Sequence, residues 1–293
     1  VVVVKAGRHT ESARAAASHT GALAGTDEVY NAAFLRAGML RVMDMQALFD
    51  AVETLARANP FTGDRLAIVT NGGGMGVLAT DVLIDKKGRL AELSSDTIDR
   101  LDSVLPATWS HNNPVDLIGD APPERYADAL EALLDDKGVD ALLVLNCPTA
   151  VASSTEAARV VVETLKQSGA KAGSRGIFTS WLGIESPRDA RKMFAENKIP
   201  TYETPTEAIR GCMQMVRYRR SQEMLMETPP NIPEIFDPDT ARAQEIVGGA
   251  LSQGRQWLTE TEAKAVLAAY KIPVVDTYEA ANAEEAAKIA GDR

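Results

Sequence analysis

One histidine stands where chemistry is feasible. His19 lies in Ala17-Ser18-His19-Thr20-Gly21-Ala22-Leu23-Ala24-Gly25, among small residues and hydroxyls, and is one of three histidines in 293 residues. Small neighbours let a long substrate or a phosphate approach the ring. Neutral imidazole is a good nucleophile at cellular pH, and backbone N–H groups and hydroxyls can meet the charge a phosphoimidazole gains. A loop histidine that caps a helix or bonds a carbonyl has the same setting, and residue chemistry leaves both roles open.

A second stretch could hold an anion. Leu66-Ala67-Ile68-Val69-Thr70 reads as a strand, and Asn71-Gly72-Gly73-Gly74-Met75-Gly76 turns from it into a helix reaching about Lys87. A strand, a glycine-rich turn and a helix N-terminus aim free N–H groups and the helix dipole at one place. The spacing is not that of a Walker A loop, and no Lys-Ser/Thr follows. A tight turn needed only for packing is the competing reading. Asp81, further along this helix, reads as structural. Asn112-Asn113-Pro114-Val115-Asp116-Leu117 reads as an irregular loop between helices, its Asn and Asp side chains fixing a turn. His9 and His111 read as surface or loop residues, and Cys147 and Cys212 are far apart with no histidine cluster beside them. That pattern supports neither a disulfide framework nor a zinc site, and no metal ligand is assigned.

The elements around these residues alternate. Val1-Val2-Val3-Val4 reads as a buried parallel strand, and Thr26 and Asp27 cap a helix whose apolar face is Val29, Ala33 and Leu35. Asp44 opens another with Met45, Leu48, Phe49, Val52 and Leu55 on one side; these first 58 residues form too little core to stand alone. Further helices start at Ser94 or Ser95, Glu124, Ser153 (with Glu156 as a capping box), Ser186-Pro187 and Thr204-Pro205-Thr206-Glu207. Strands are expected at 141–145, 176–180 and 199–202. Repeated strand–helix order predicts a doubly wound parallel sheet, in which ligands bind beyond the carboxyl ends of strands, here Thr70-Asn71, Asn146-Cys147-Pro148-Thr149 and Ser180-Trp181. A proline-rich linker follows, then helices at 241–251 and from Thr259 to near Tyr270, and a strand at Ile272-Pro273-Val274-Val275. The formal charge of -10 opposes a nucleic-acid surface, and no apolar run approaches the ~20 residues of a membrane span. With its two distant cysteines the chain reads as cytoplasmic. It opens inside a strand without Met, which reads as a segment of a longer polypeptide.

Lys5-Ala6-Gly7-Arg8, the block from Ser18 to Gly25, and Ala37-Gly38-Met39-Leu40-Arg41-Val42 together resemble the phosphohistidine region of the ADP-forming acyl-CoA synthetases, in the succinyl-CoA synthetase superfamily. The resemblance extends over nearly the whole chain. It implies an α/β fold of flavodoxin-like doubly wound sheets: 1–58 as the C-terminal part of the phosphohistidine domain, 59–226 as a second CoA-ligase domain, 227–238 as a linker and 239–293 as the start of an ATP-grasp domain. The implied activity is an acid–CoA ligase that interconverts acyl-CoA, ADP and phosphate with acid, CoA and ATP through a phosphohistidine. On that resemblance His19 is the nucleophile and Gly72, Gly73 and Gly74 hold phosphoryl oxygens. Ser18, Thr20, Gly21, Asn71, Asn113 and Asp116 support the loop and rim. Sites for ATP or ADP with Mg2+ are expected beyond Arg293. CoA and the carboxylate that orients the histidine are expected ahead of Val1. The partners implied are a CoA-binding domain, the rest of the ATP-grasp domain, a short-chain acid such as acetate, and a homo-oligomer if one forms. Residues 1–293 alone are expected to be inactive as a synthetase. Two alternatives are carried: the ligase-like regulatory module of a GNAT-bearing protein lysine acetyltransferase, and a flavodoxin-like binding module without catalysis.

Overall fold

The computed structural model describes residues 1–20, 26–185, 187–226 and 237–291, with the backbone alone for 16–20. The chain divides into two compact units, Val1–Glu227 and Thr228–Arg293.

In the first unit β1 (Val2–Val4) pairs in parallel with β2 (Leu40–Val42), Val3 opposite Arg41. Helices α1 (Thr10–Thr20) and α2 (Asp27–Arg36) lie between them in sequence, and α3 (Met45–Arg57) follows. The strand expected at the four valines is parallel but only half-buried, since a two-stranded ladder covers little of it. The expected inward faces also differ. Val29, Ala33 and Leu35 on α2 are exposed, as are Met45, Phe49 and Val52 on α3. Instead α3 turns Ala47, Asp50, Ala51 and Thr54 inward. Small side chains allow close approach there, and each polar one meets a partner: Asp50 pairs with Arg210, and the Thr54 hydroxyl bonds that of Tyr202. Leu40, Val42, Ala47 and Ala51 form a small core with Tyr218 packed against it.

The larger sheet is built from β3 (Arg65–Thr70), α4 (Gly73–Asp85), β4 (Arg89–Leu90), α5 (Ser95–Val104), β5 (Val115–Asp116), α6 (Pro123–Asp135) and β6 (Ala141–Asn146). It continues through α7 (Ser154–Gln167), the short α8 (Ala170–Gly173), β7 (Gly176–Trp181), α9 (Arg188–Glu196), β8 (Thr201–Tyr202) and α10 (Pro205–Met226). All pairings are parallel, in the order β4-β3-β6-β7-β8, with β5 also on β3. Since β6 takes one edge of β3, the short β4 and β5 share the other, β4 at its start and β5 at its end. This is the flavodoxin-like order, with two half-strands in place of one. Side chains alternate along the central strands. Leu66, Ile68, Leu143 and Phe178 pack with Leu83, Ile209 and Val216 on one face; Ala67, Val69, Leu142 and Val144 pack with Leu130, Val161 and Phe194 on the other.

The caps follow the sequence. Ser94 accepts the Thr97 N–H, and Ser153 accepts that of Glu156, although the Glu156 carboxylate turns to Arg159 instead of closing a box. At α10 the box is reciprocal: Thr204 Oγ1 accepts the Glu207 N–H at 3.3 Å, and Glu207 accepts the Thr204 N–H at 3.2 Å. Ser186 and residues 227–236 of the expected linker lie outside the described residues.

In the second unit α11 (Thr240–Ser252), α12 (Glu260–Ala269) and α13 (Ala283–Gly291) are helical. Thr259 and Glu262 form the capping box of α12, and Glu262 also pairs with Arg255, which holds its carboxyl down at about 2. Residues 272–275 form no strand, because no neighbouring strand among the described residues completes their ladder.

Candidate active site

The chain leaves β3 through α4 on one face of the sheet and β6 through α7 on the other. Their carboxyl ends therefore open a crevice at a topological switch point, the place where doubly wound sheets take ligands. Asn71 locks its two sides together: Nδ2 donates to the Cys147 carbonyl at 2.9 Å, and Oδ1 accepts the Cys147 N–H at 2.8 Å. Thr70 Oγ1 accepts the Gly72 N–H at 3.0 Å, so of the three glycines expected to hold phosphoryl oxygens, Gly72 has its donor occupied. Gly72 caps α4 without a side chain, and Gly73 and Gly74 open the helix. Met75 and Gly76 donate to the Gly72 carbonyl, whereas the N–H groups of Gly73 and Gly74 meet no acceptor among the described residues and stand beside the positive end of the dipole.

Neighbouring side chains, not backbone angles, require glycine here. A Cβ on Gly72 would lie 2.5 Å from Cys147 Sγ, and one on Gly73 would collide with Asp116 Oδ2, while Gly74 faces open space. Burial pushes the Cys147 thiol up, and the Asp116 charge adds to this.

The stretch read as an irregular loop is part of the sheet. It supplies β5, and Asn113 is buried behind it. Asn113 Oδ1 accepts the Ile68 N–H, and Nδ2 donates to the carbonyls of Leu66 and Ala91, all at 2.9 Å. The carboxamide thus replaces the rung missing between β4 and β5. Asp116, by contrast, stands at the crevice, its Oδ1 accepting the Ile118 N–H at 2.9 Å and its own N–H donating to Ser110 Oγ at 3.1 Å. His111, exposed as expected, is held by Asp102 Oδ1 at 2.7 Å and the Ala107 carbonyl at 3.1 Å.

The structure therefore brings Asn71, the glycine turn and Asp116 together. His19 lies in the last turn of α1, where a loop was expected, and its helical backbone runs on through Thr20. The side chains of Ser18, His19 and Thr20, and Gly21 entirely, lie outside the described residues. Asn146 was read only as a strand end. It is 4% exposed, donates through Nδ2 to the Tyr126 hydroxyl at 2.9 Å, and has no partner for Oδ1 among the described residues. An apolar run that stops at an Asn-Cys-Pro-Thr string was the available signal for it. Among the described residues no three His, Cys, Asp or Glu side chains gather in a metal-holding group.

Three family models match in succession: the succinyl-CoA ligase like flavodoxin domain over residues 1–55, the Ligase-CoA domain over 66–233 and an ATP-grasp domain over 249–292. The chain belongs to the ADP-forming acyl-CoA synthetase family. It is 32% identical over 291 residues to a 4-hydroxybutyrate–CoA ligase (ADP-forming) of Nitrosopumilus maritimus. Identity to an acetate–CoA ligase (ADP-forming) of Archaeoglobus fulgidus is 34% over 292 residues. Each match takes in 99% of this chain and 40% of the relative, so the chain spans under half the length of either protein. A dinucleotide-forming acetyl-coenzyme A synthetase of Ca. Korarchaeum cryptofilum, solved in complex with phosphate and ADP, superposes with a TM-score of 0.71 at 33% identity, over 77% of this chain and 48% of that one. These relatives are ligases, and nothing here favours the acetyltransferase alternative. No helix among the described residues is long and apolar enough to cross a membrane.

Proposed function

We propose that this chain supplies the phosphoryl-handling part of an ADP-forming acid–CoA ligase. Phosphate attacks the acyl carbon of an acyl-CoA, forming an acyl phosphate and expelling CoA. His19 then attacks phosphorus, which releases the acid and leaves a phosphohistidine. ADP takes the phosphoryl group from the ring, giving ATP and free histidine. Two displacements let one site manage the acyl group and another the nucleotide. The Gly73 and Gly74 N–H groups hold the phosphoryl oxygens as charge builds on them, Asn71 keeps the turn rigid, and Ser18, Thr20 and Gly21 set the histidine. A short-chain acid is the substrate class, in line with the acids in the relatives' names. ATP, ADP and Mg2+ belong with the ATP-grasp region, and CoA with a domain ahead of the histidine. A partner-chain arrangement has a parallel in a Pyrococcus furiosus relative named as a subunit alpha, 35% identical over 220 residues. We place the reaction in the cytoplasm, where thiols such as Cys147 and Cys212 stay free.

The observation that carries this reading is the pair of glycine N–H groups at the switch-point crevice that meet no acceptor among the described residues. The half-reaction from the acyl phosphate tests it without CoA or nucleotide. The chain is incubated with acetyl phosphate and assayed for an acid-labile, alkali-stable phosphoryl group. Labelling that disappears in His19→Ala, with the helical circular dichroism unchanged, is the expected result. Wild-type protein that takes no label, or a variant that labels equally, would defeat it.

A further inference from the structure

A cavity of about 580 Å3 opens at the other end of the sheet, away from the crevice. Phe61 lines it, packed on Gly176 where β7 begins, together with Leu55 of α3 and Met215 and Tyr218 of α10. It lies on the seam between the first 58 residues and the larger sheet. Elsewhere along that seam the Thr54–Tyr202 hydroxyl pair and Gln222, which donates to the Gly38 carbonyl at 2.6 Å, hold the two parts together. Mostly apolar cavities of this volume with a few polar groups, at such seams, are where small molecules bind.

Arg219 sets the chemistry of this one. Its side chain is only 25% exposed, yet among the described residues its guanidinium makes a single hydrogen bond, from Nη2 to the Gly63 carbonyl at 3.2 Å. Nε is buried and has no partner among them. Glu223, itself exposed, approaches Nη1 at 3.3 Å but accepts no hydrogen bond from it. Arg65 shows the satisfied case: Asp140 takes its Nε at 2.8 Å and its Nη2 at 2.7 Å. A largely buried guanidinium short of acceptors is costly, and a carboxylate is the partner its planar fork fits.

We propose that this cavity binds an apolar monocarboxylate, its body against Leu55, Phe61 and Met215 and its carboxylate on Arg219. The inference goes beyond the phosphoryl chemistry above and does not depend on it. Because α3 and α10 both line the cavity, the bound acid strengthens the seam between the two parts of the unit.

The test titrates the whole chain with octanoate, with octanol as its uncharged counterpart and acetate as a carboxylate without the apolar body. The Met215 methyl resonance is followed by NMR. Octanoate should shift it and bind about tenfold more tightly than octanol, since a hydrogen bond to a charged group is at stake, and acetate should bind more weakly still. Arg219→Gln should bring octanoate down to the level of octanol and leave octanol unchanged. Glu223→Gln removes a carboxylate that competes for the guanidinium, so it should tighten octanoate and not octanol. Glu223 is exposed, and this variant keeps the test decisive where Arg219→Gln folds poorly. Octanol binding as tightly as octanoate, or octanoate binding that neither substitution moves, would refute the role of Arg219 and the proposal with it. A Met215 methyl that octanoate leaves in place would show that the cavity is no site for such an acid.

Discussion

Asn113→Ala separates a residue that builds the sheet from one that does chemistry. The wild-type carboxamide sits 7% exposed against the edge of β3 and makes three hydrogen bonds of 2.9 Å to backbone. Alanine strands the Ile68 N–H, which no β-partner meets, and removes a donor from the Leu66 and Ala91 carbonyls. The Leu66 carbonyl keeps the Ala91 N–H at 2.9 Å, so its loss is the lightest. A buried polar group left unsatisfied costs about 1–3 kcal/mol, and the three together give roughly 3–5 kcal/mol. Asn113→Asp should be no better, since a carboxylate would face two carbonyl oxygens. Trp109 and Trp181 are both buried in this unit and report its unfolding by fluorescence. At a urea slope of about 2 kcal/mol/M the midpoint should fall by roughly 1.5–2.5 M. Phosphoryl uptake from acetyl phosphate, measured where the variant is folded, should stay within a few-fold of wild type. A midpoint shift equivalent to under about 1 kcal/mol, or a folded variant that takes up no phosphoryl group, would refute the structural assignment.

The glycine turn and the acidic anchors give two further tests. Gly74→Ala adds a methyl into open space within a helix and should raise stability by up to about 1 kcal/mol, whereas Gly73→Ala drives a Cβ toward Asp116 Oδ2 and should reduce phosphoryl uptake by about tenfold or more; equal behaviour of the two would show that Asp116 does not crowd the turn. Burial opposes ionisation of Asp140, but the Arg65 guanidinium and the N–H groups of Arg65 and Asp64 outweigh it and hold its carboxyl below the usual aspartate range. A depressed folded value means stability that is fully present above about pH 4 and lost as pH falls through the folded value. Acid titration of the wild type and Asp140→Asn should therefore show a large stability difference at pH 7 that narrows below pH 4, and a difference that is constant with pH would sink the assignment.

The parallel sheet was legible because its strands are apolar runs punctuated by turn residues, and because caps such as Thr204 and Glu207 announce helix starts locally. The crevice followed from strand order alone. What escaped depends on partners distant in sequence. Helix α3 has apolar residues on two sides, so periodicity could not reveal that the side with Asp50 and Thr54, which meet Arg210 and Tyr202, is the buried one. Residues 272–275 have strand composition, but a strand exists only beside another. That Asn146 Oδ1 has no partner among the described residues likewise emerges only once Tyr126 is seen to occupy the other end of its carboxamide.

The string from Asn113 to Asp116 shows how structural and chemical demands can share one short motif. β4 covers the start of β3 and then leaves it; β5 returns only at the end of β3, opposite Val69 and Thr70. An uninterrupted strand along that edge would satisfy Ile68 by itself and would need no asparagine. Splitting it leaves a gap that Asn113 must fill, and it lets the chain re-enter the sheet at its carboxyl end. That return, anchored by the Asn113 carboxamide and by Ser110 accepting the Asp116 N–H, is what sets a carboxylate over Gly73. Asn113 thus acts on the crevice only through the place it gives β5, while Asp116 acts within it directly. Loss of the first should cost stability, and loss of the second should free the space over Gly73.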